Sequence, residues 1–145
     1  MKPNREYLVV VTLILAAVGL AAAGVMLNRR EDLPVAEISS RWSTSAHADA
    51  TSVSFVRWDN DDPAVIPVYC ARCHSTYGML DYLGADGSEP RVVDREAKTG
   101  TTVFCVACHN PAADRLTSVV FPSGQEVDRL GPEAKCATCH QGRQS

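Results

Sequence analysis

The sequence predicts a small, mostly irregular domain of short α-helices and one β-hairpin, preceded by a single apolar N-terminal helix. Three observations predict it. An uncharged apolar run occupies residues 8–27. Long periodic segments are scarce after residue 47. One pentapeptide pattern of Cys and His recurs three times in the second half of the chain. A length of 145 residues suits one modest domain and argues against a large multi-domain enzyme. With 14 Lys+Arg against 17 Asp+Glu, no basic excess is present to hold nucleic acid.

The apolar run, LVVVTLILAAVGLAAAGVML, has 17 apolar residues out of 20. A bilayer core about 30 Å thick needs about 20 helical residues, so residues 8–27 are long enough for a transmembrane anchor. Lys2 and Arg5 precede it, which assigns residues 1–7 to the cytoplasmic side. Arg29 and Arg30 follow it but are offset by Glu31 and Asp32. A cleaved signal peptide is the competing reading, with Ala21-Ala22-Ala23 as a small-residue cleavage site. The apolar stretch continues through Val25, Met26 and Leu27, which favours the uncleaved anchor. Either way the remainder of the chain is exported. It is membrane-anchored on the periplasmic or cell-surface side, or secreted if the segment is removed.

Residues 28–46 are polar, contain Pro34 and a Ser/Thr cluster, and read as a linker with a short helix over 35–41. Residues 47–145 form the working domain. Asp59-Asn60-Asp61-Asp62-Pro63 lacks the length and terminal Glu of a calcium loop and reads as a solvated turn. A short helix is expected around 79–83, followed by turn signals at Gly84-Ala85-Asp86-Gly87. The β-branched run at 116–121 reads as a strand. Pro122-Ser123-Gly124 then turns it into a hairpin with 125–130. So few regular elements leave about 100 residues short of side chains to fill a core.

The three pentapeptides are Cys70-Ala71-Arg72-Cys73-His74, Cys105-Val106-Ala107-Cys108-His109 and Cys136-Ala137-Thr138-Cys139-His140. Each is C-x-x-C-H, the pattern of covalent c-type haem attachment. Two thiols add to the porphyrin vinyl groups, and the adjacent imidazole binds iron as the proximal ligand. All six Cys and three of the four His are used, with no Cys left over. A disulfide framework has no reason to place His after every second Cys. Zinc is the stronger competitor, but three Cys pairs are an odd set for Cys₄ sites. A thioredoxin-like redox pair would need a single pair in a βαβ context, which is absent.

On these motifs and the export segment, the sequence resembles a multihaem c-type cytochrome with an N-terminal membrane anchor, over most of 47–145. The resemblance implies an irregular polypeptide wrapped around three closely spaced haems, and an electron-transfer role outside the cytoplasm. Small anchored cytochromes that oxidise membrane quinols share this plan but usually carry four haems, starting soon after the membrane helix. Here three motifs begin only at Cys70, which argues against quinol oxidation.

The second axial positions outnumber the remaining ligands. His47, among small neighbours in Ser43-Thr44-Ser45-Ala46-His47-Ala48, is the candidate distal ligand to one haem. Met79 is a weaker candidate and reads mainly as packing; Lys98 is weaker still. At least one haem therefore lacks an intrachain sixth ligand. A redox partner, an identical neighbouring subunit as in a cytochrome filament, or further sequence beyond Ser145 would supply it. Alternatively an open iron would act on a small nitrogen or oxygen compound. Arg72 is a candidate partner for a haem propionate, with surface solvation the alternative. The expected function is extracytoplasmic electron transfer through three covalently bound haems, within a larger assembly. The chain reads as a carrier rather than an enzyme, with no catalytic residue assigned.

Overall fold

The computed structural model describes residues 4–27 and 34–142 and divides the chain into two units, Met1–Glu37 and Ile38–Ser145. In the first, helix α1 spans Arg5–Leu27. Asn4 starts it: its side-chain oxygen accepts from the Glu6 N–H at 3.1 Å, satisfying one of the unpaired first-turn amides. The lone hydroxyl within the apolar run, Thr12, donates back to the Leu8 carbonyl at 2.8 Å. The segment Glu6–Gly24, mean hydropathy 2.4, is long and apolar enough to cross a membrane, a property it shares with signal sequences. The charged flanks Lys2 and Arg29, Arg30, Glu31 and Asp32 lie outside the described residues.

Helix α2, Val35–Ser43, forms where a short helix is expected at 35–41. The second unit begins at Ile38, so residues 38–46 are part of the domain rather than linker. The reason is a pair of hydrogen bonds to Val103. Its carbonyl accepts from the Trp42 indole N–H at 2.9 Å, and its N–H donates to the His47 carbonyl at 3.0 Å.

The rest of the second unit alternates short helices with two small antiparallel pairings. Helix α3 covers Val53–Val56 behind Ser52, and strand β1 covers Val65–Ile66. Helix α4, Val68–His74, starts after Pro67, whose fixed φ suits a helix entrance. Ser75, extended at φ −151°, ends α4 and caps helix α5, Thr76–Tyr82. Its hydroxyl accepts from the Tyr77 and Gly78 amides at 3.1 and 3.4 Å. The helix expected at 79–83 therefore starts three residues earlier. Strand β2, Ala97–Lys98, pairs with β1 in the register Val65–Lys98 and Ile66–Ala97.

Helix α6 is Cys105–Cys108, and helix α7 is Pro111–Asp114, capped by Asn110 and opened by proline. Strands β3, Val119–Val120, and β4, Glu126–Val127, form the expected hairpin, shorter than its sequence run. Gly124 turns the chain at φ 82°, where a β-carbon would be strained. A 3₁₀ turn at Gly131–Glu133 leads into helix α8, Ala134–Cys139.

Side-chain packing is concentrated in two small clusters. One joins Met79, Tyr82, Leu83, Ala107 and Ala113; the other joins Trp58, Ile66, Ala71 and Ala97. Ala71 and Ala107 belong to the first two C-x-x-C-H motifs, and Thr138 is the buried residue between the cysteines of the third, so each motif helix turns one small intervening residue inward. That leaves the flanking cysteines nearer the surface.

Candidate haem sites

Each motif is carried by a short helix, and its His sits at the helix end. His74 is the last residue of α4, while His109 and His140 follow α6 and α8 as C-caps. The His109 and His140 amides donate to the carbonyls of Cys105 and Cys136, at 2.8 and 2.9 Å. Positions three apart share one helix face, so the two sulfurs of each motif project to the same side. None of the six cysteines, all among the described residues, is in a disulfide; Cys105 and Cys136 are exposed and the other four half-buried.

His74 is held most firmly. Its Nδ1–H donates to the Ser54 carbonyl at 2.8 Å, and the Trp58 ring lies edge-on at a centroid distance of 5.4 Å. A backbone acceptor at Nδ1 fixes the tautomer that leaves the Nε2 lone pair for a metal.

The first and third motifs meet through their second cysteines. Cys73 Sγ lies 3.9 Å from the Thr138 carbonyl and Cys139 Sγ lies 3.7 Å from the Arg72 carbonyl. A hydrogen bond from the Cys139 thiol, assisted by Arg72 and opposed by burial, pulls the Cys73 thiol down to about 6. The same hydrogen bond and burial push the Cys139 thiol up. Burial also raises Cys108, with Cys136 nearby adding to it. Across the domain, exposed His47 faces exposed His140, ring centroids 6.0 Å apart and planes inclined at 62°.

The family model for cytochrome c7 and related cytochrome c matches residues 53–141, which take in all three motifs. The chain belongs to this family. It is a multihaem c-type cytochrome, of a family that binds c-type haem, transfers electrons and works outside the cytoplasm. Neither a curated protein nor a solved structure matches the chain. His47 lies just N-terminal to the matched residues.

The surface around the motifs suits such a cytochrome. Apolar side chains flanking the first cysteines of two motifs, Cys70 and Cys105, stand in the open: Tyr69 is 76% exposed, Val106 44% and Phe104 40%. A flat apolar macrocycle attached there would cover them.

The weaker candidates are also placed. Met79 is buried in the cluster that includes Ala107, against which Cys139 packs. Lys98 is exposed on β2. Arg72 is engaged within the protein, its guanidinium 4.7 Å from the centre of the Tyr82 ring and hydrogen-bonded to Gln141 at 3.3 Å. Sequence reasoning missed Ser54, because its contribution is a backbone carbonyl that any residue could offer. Trp58 likewise stands in no motif, and only the fold brings its ring to His74.

Proposed function

We propose that this cytochrome passes electrons one at a time, outside the cytoplasm, through three covalently bound c-type haems. Cys70 and Cys73, Cys105 and Cys108, and Cys136 and Cys139 hold them by thioethers, with His74, His109 and His140 as proximal ligands. His47 is a distal ligand. Met79 serves as core packing between the motifs. The haems supply the one-electron chemistry of their iron. The chain attaches them, orients the imidazoles, as the Ser54 carbonyl does for His74, and sets the polarity around each. Helix α1 anchors the domain to the membrane.

The observation that carries this reading is the threefold repetition of one geometry: two cysteines outside any disulfide on a helix, with a histidine at its end. Intact mass and haemochrome absorbance of the purified protein are expected to give three haems per chain. Replacing one Cys pair by Ala should remove one. Two or fewer haems in the unmutated protein would overturn the reading.

Four His against six axial positions favour a partner that supplies the missing ligands, either a redox protein or an identical neighbouring subunit in a larger assembly or filament. The same shortfall supports a second reading, in which an open iron acts on a small nitrogen or oxygen compound. Carbon monoxide binding by the fully assembled protein separates them: one closed by partner ligands resists it, and an open site takes it up.

A further inference from the structure

We infer that Trp42 is a positioning residue that seats His47 as sixth ligand of the haem held by Cys136, Cys139 and His140. The inference rests on the proposed function and adds which haem His47 serves and what holds it there. Both polar backbone groups of Val103 grip the segment that ends in His47. The Val103 carbonyl accepts from the Trp42 indole at 2.9 Å, and its N–H donates to the His47 carbonyl at 3.0 Å. Between these ends the backbone makes two successive turns, Ser45 N–H to the Trp42 carbonyl at 2.9 Å and Ala48 N–H to the Ser45 carbonyl at 3.0 Å. The Ser45 hydroxyl adds a bond to the Trp42 carbonyl at 2.7 Å. The Trp42 ring meets Phe104 edge-on at 6.4 Å, directly before Cys105. The clamp is therefore built on the residues preceding the second motif, while the imidazole it presents faces the third.

The separation suits shared coordination. Two metal–imidazole bonds of about 2.0–2.1 Å, each extended by about 1.1 Å from nitrogen to ring centre, place the centroids about 6.2–6.4 Å apart. The observed value is 6.0 Å. Bare edge-to-face ring pairs fall in the same range, about 4.5–7 Å. Two features favour coordination over simple contact. Both rings are exposed rather than packed into a core, and His47 is flanked by Ala46 and Ala48, which leave a macrocycle room to approach.

The test uses the assembled protein. His47→Ala is expected to keep three haems by haemochrome while turning one from low-spin to high-spin. Carbon monoxide uptake should rise by one equivalent per chain, and added imidazole should restore the low-spin spectrum. Trp42→Phe keeps a ring against Phe104 but loses the indole donor. It should give part of the same increase, with haem content unchanged and the same rescue by imidazole. In a Cys136→Ala/Cys139→Ala background the effect of His47→Ala should vanish. Unchanged carbon monoxide uptake in His47→Ala, or an effect that survives loss of the third haem, overturns the ligand assignment. A Trp42→Phe protein identical to the unmutated one overturns the positioning role. Should the Cys variant fail to accumulate, nuclear Overhauser contacts between the His47 ring and the third haem in the unmutated protein decide the point, and their absence counts against it. A haem count below three in that protein overturns the proposed function instead.

Discussion

A β-carbon at position 78 would lie 2.3 Å from the Ala71 carbonyl carbon and oxygen, and 2.6 Å from its β-carbon. The first two are backbone atoms of α4, the helix that carries Cys70, Cys73 and His74; the third is bonded directly to that backbone, so none has a flexible end to give way. Gly78 therefore sets how closely α5 can lie against the first motif. Ala is the better helix former by about 1 kcal/mol, so propensity alone favours Gly78→Ala. Overpacking a tight contact costs about 1–3 kcal/mol, and here it outweighs that gain. Gly78→Ala is expected to lower the denaturant midpoint of the assembled protein. It should also disturb the His74–Ser54 hydrogen bond, seen as a shift in one haem's spectrum. A midpoint equal to or above that of the unmutated protein would show that α4 and α5 separate freely.

Among the elements, the β3–β4 hairpin is fastened by charge as well as by its ladder. The Ser118 hydroxyl donates to Glu126 at 2.7 Å. Arg91 reaches both, at 2.6 Å to Ser118 and 3.2 Å to Glu126. The Ser118 bond first, and then Arg91, hold the Glu126 carboxyl below the usual range. A depressed carboxylate contributes its stability above the ordinary carboxylate value and loses it as pH falls through the lowered one. The difference in melting temperature between the unmutated protein and Glu126→Gln should accordingly be largest near neutrality and shrink in acid. A difference that grows in acid would contradict this. The hairpin was legible in the sequence because a β-branched run met a Pro-Ser-Gly turn. The β1–β2 pairing was not: two residues a side, with partners 33 and 31 positions apart, carry no periodicity, and only tertiary packing selects them. On the proposed function, the pentapeptides name the attachment residues in the sequence itself, because thioether chemistry fixes both residue type and spacing. The partner of His74 and the clamp on His47 run through the backbone of Ser54 and Val103, where residue identity says nothing.

At the scale of the whole molecule, the apolar supply and the charge point the same way. About a quarter of the hydrophobic residues lie in α1, and the described residues of the domain form two clusters of at most five buried residues each. On the proposed function, three macrocycles complete that interior and bring two propionates each to a chain already at −3. With the iron charge set aside, the assembled protein is more acidic than its sequence, and its long-range field favours basic redox partners. Salt screens that field over a Debye length of about 10 Å at 0.1 M. Electron exchange with a small basic redox protein, followed by stopped-flow absorbance, should therefore slow severalfold from low salt to about 0.5 M. Exchange with a neutral small-molecule reductant, which feels no such field, should change little over the same range. A rate with the basic protein that is flat or rises with salt would mean that the propionates are neutralised within the fold or paired with a permanent subunit.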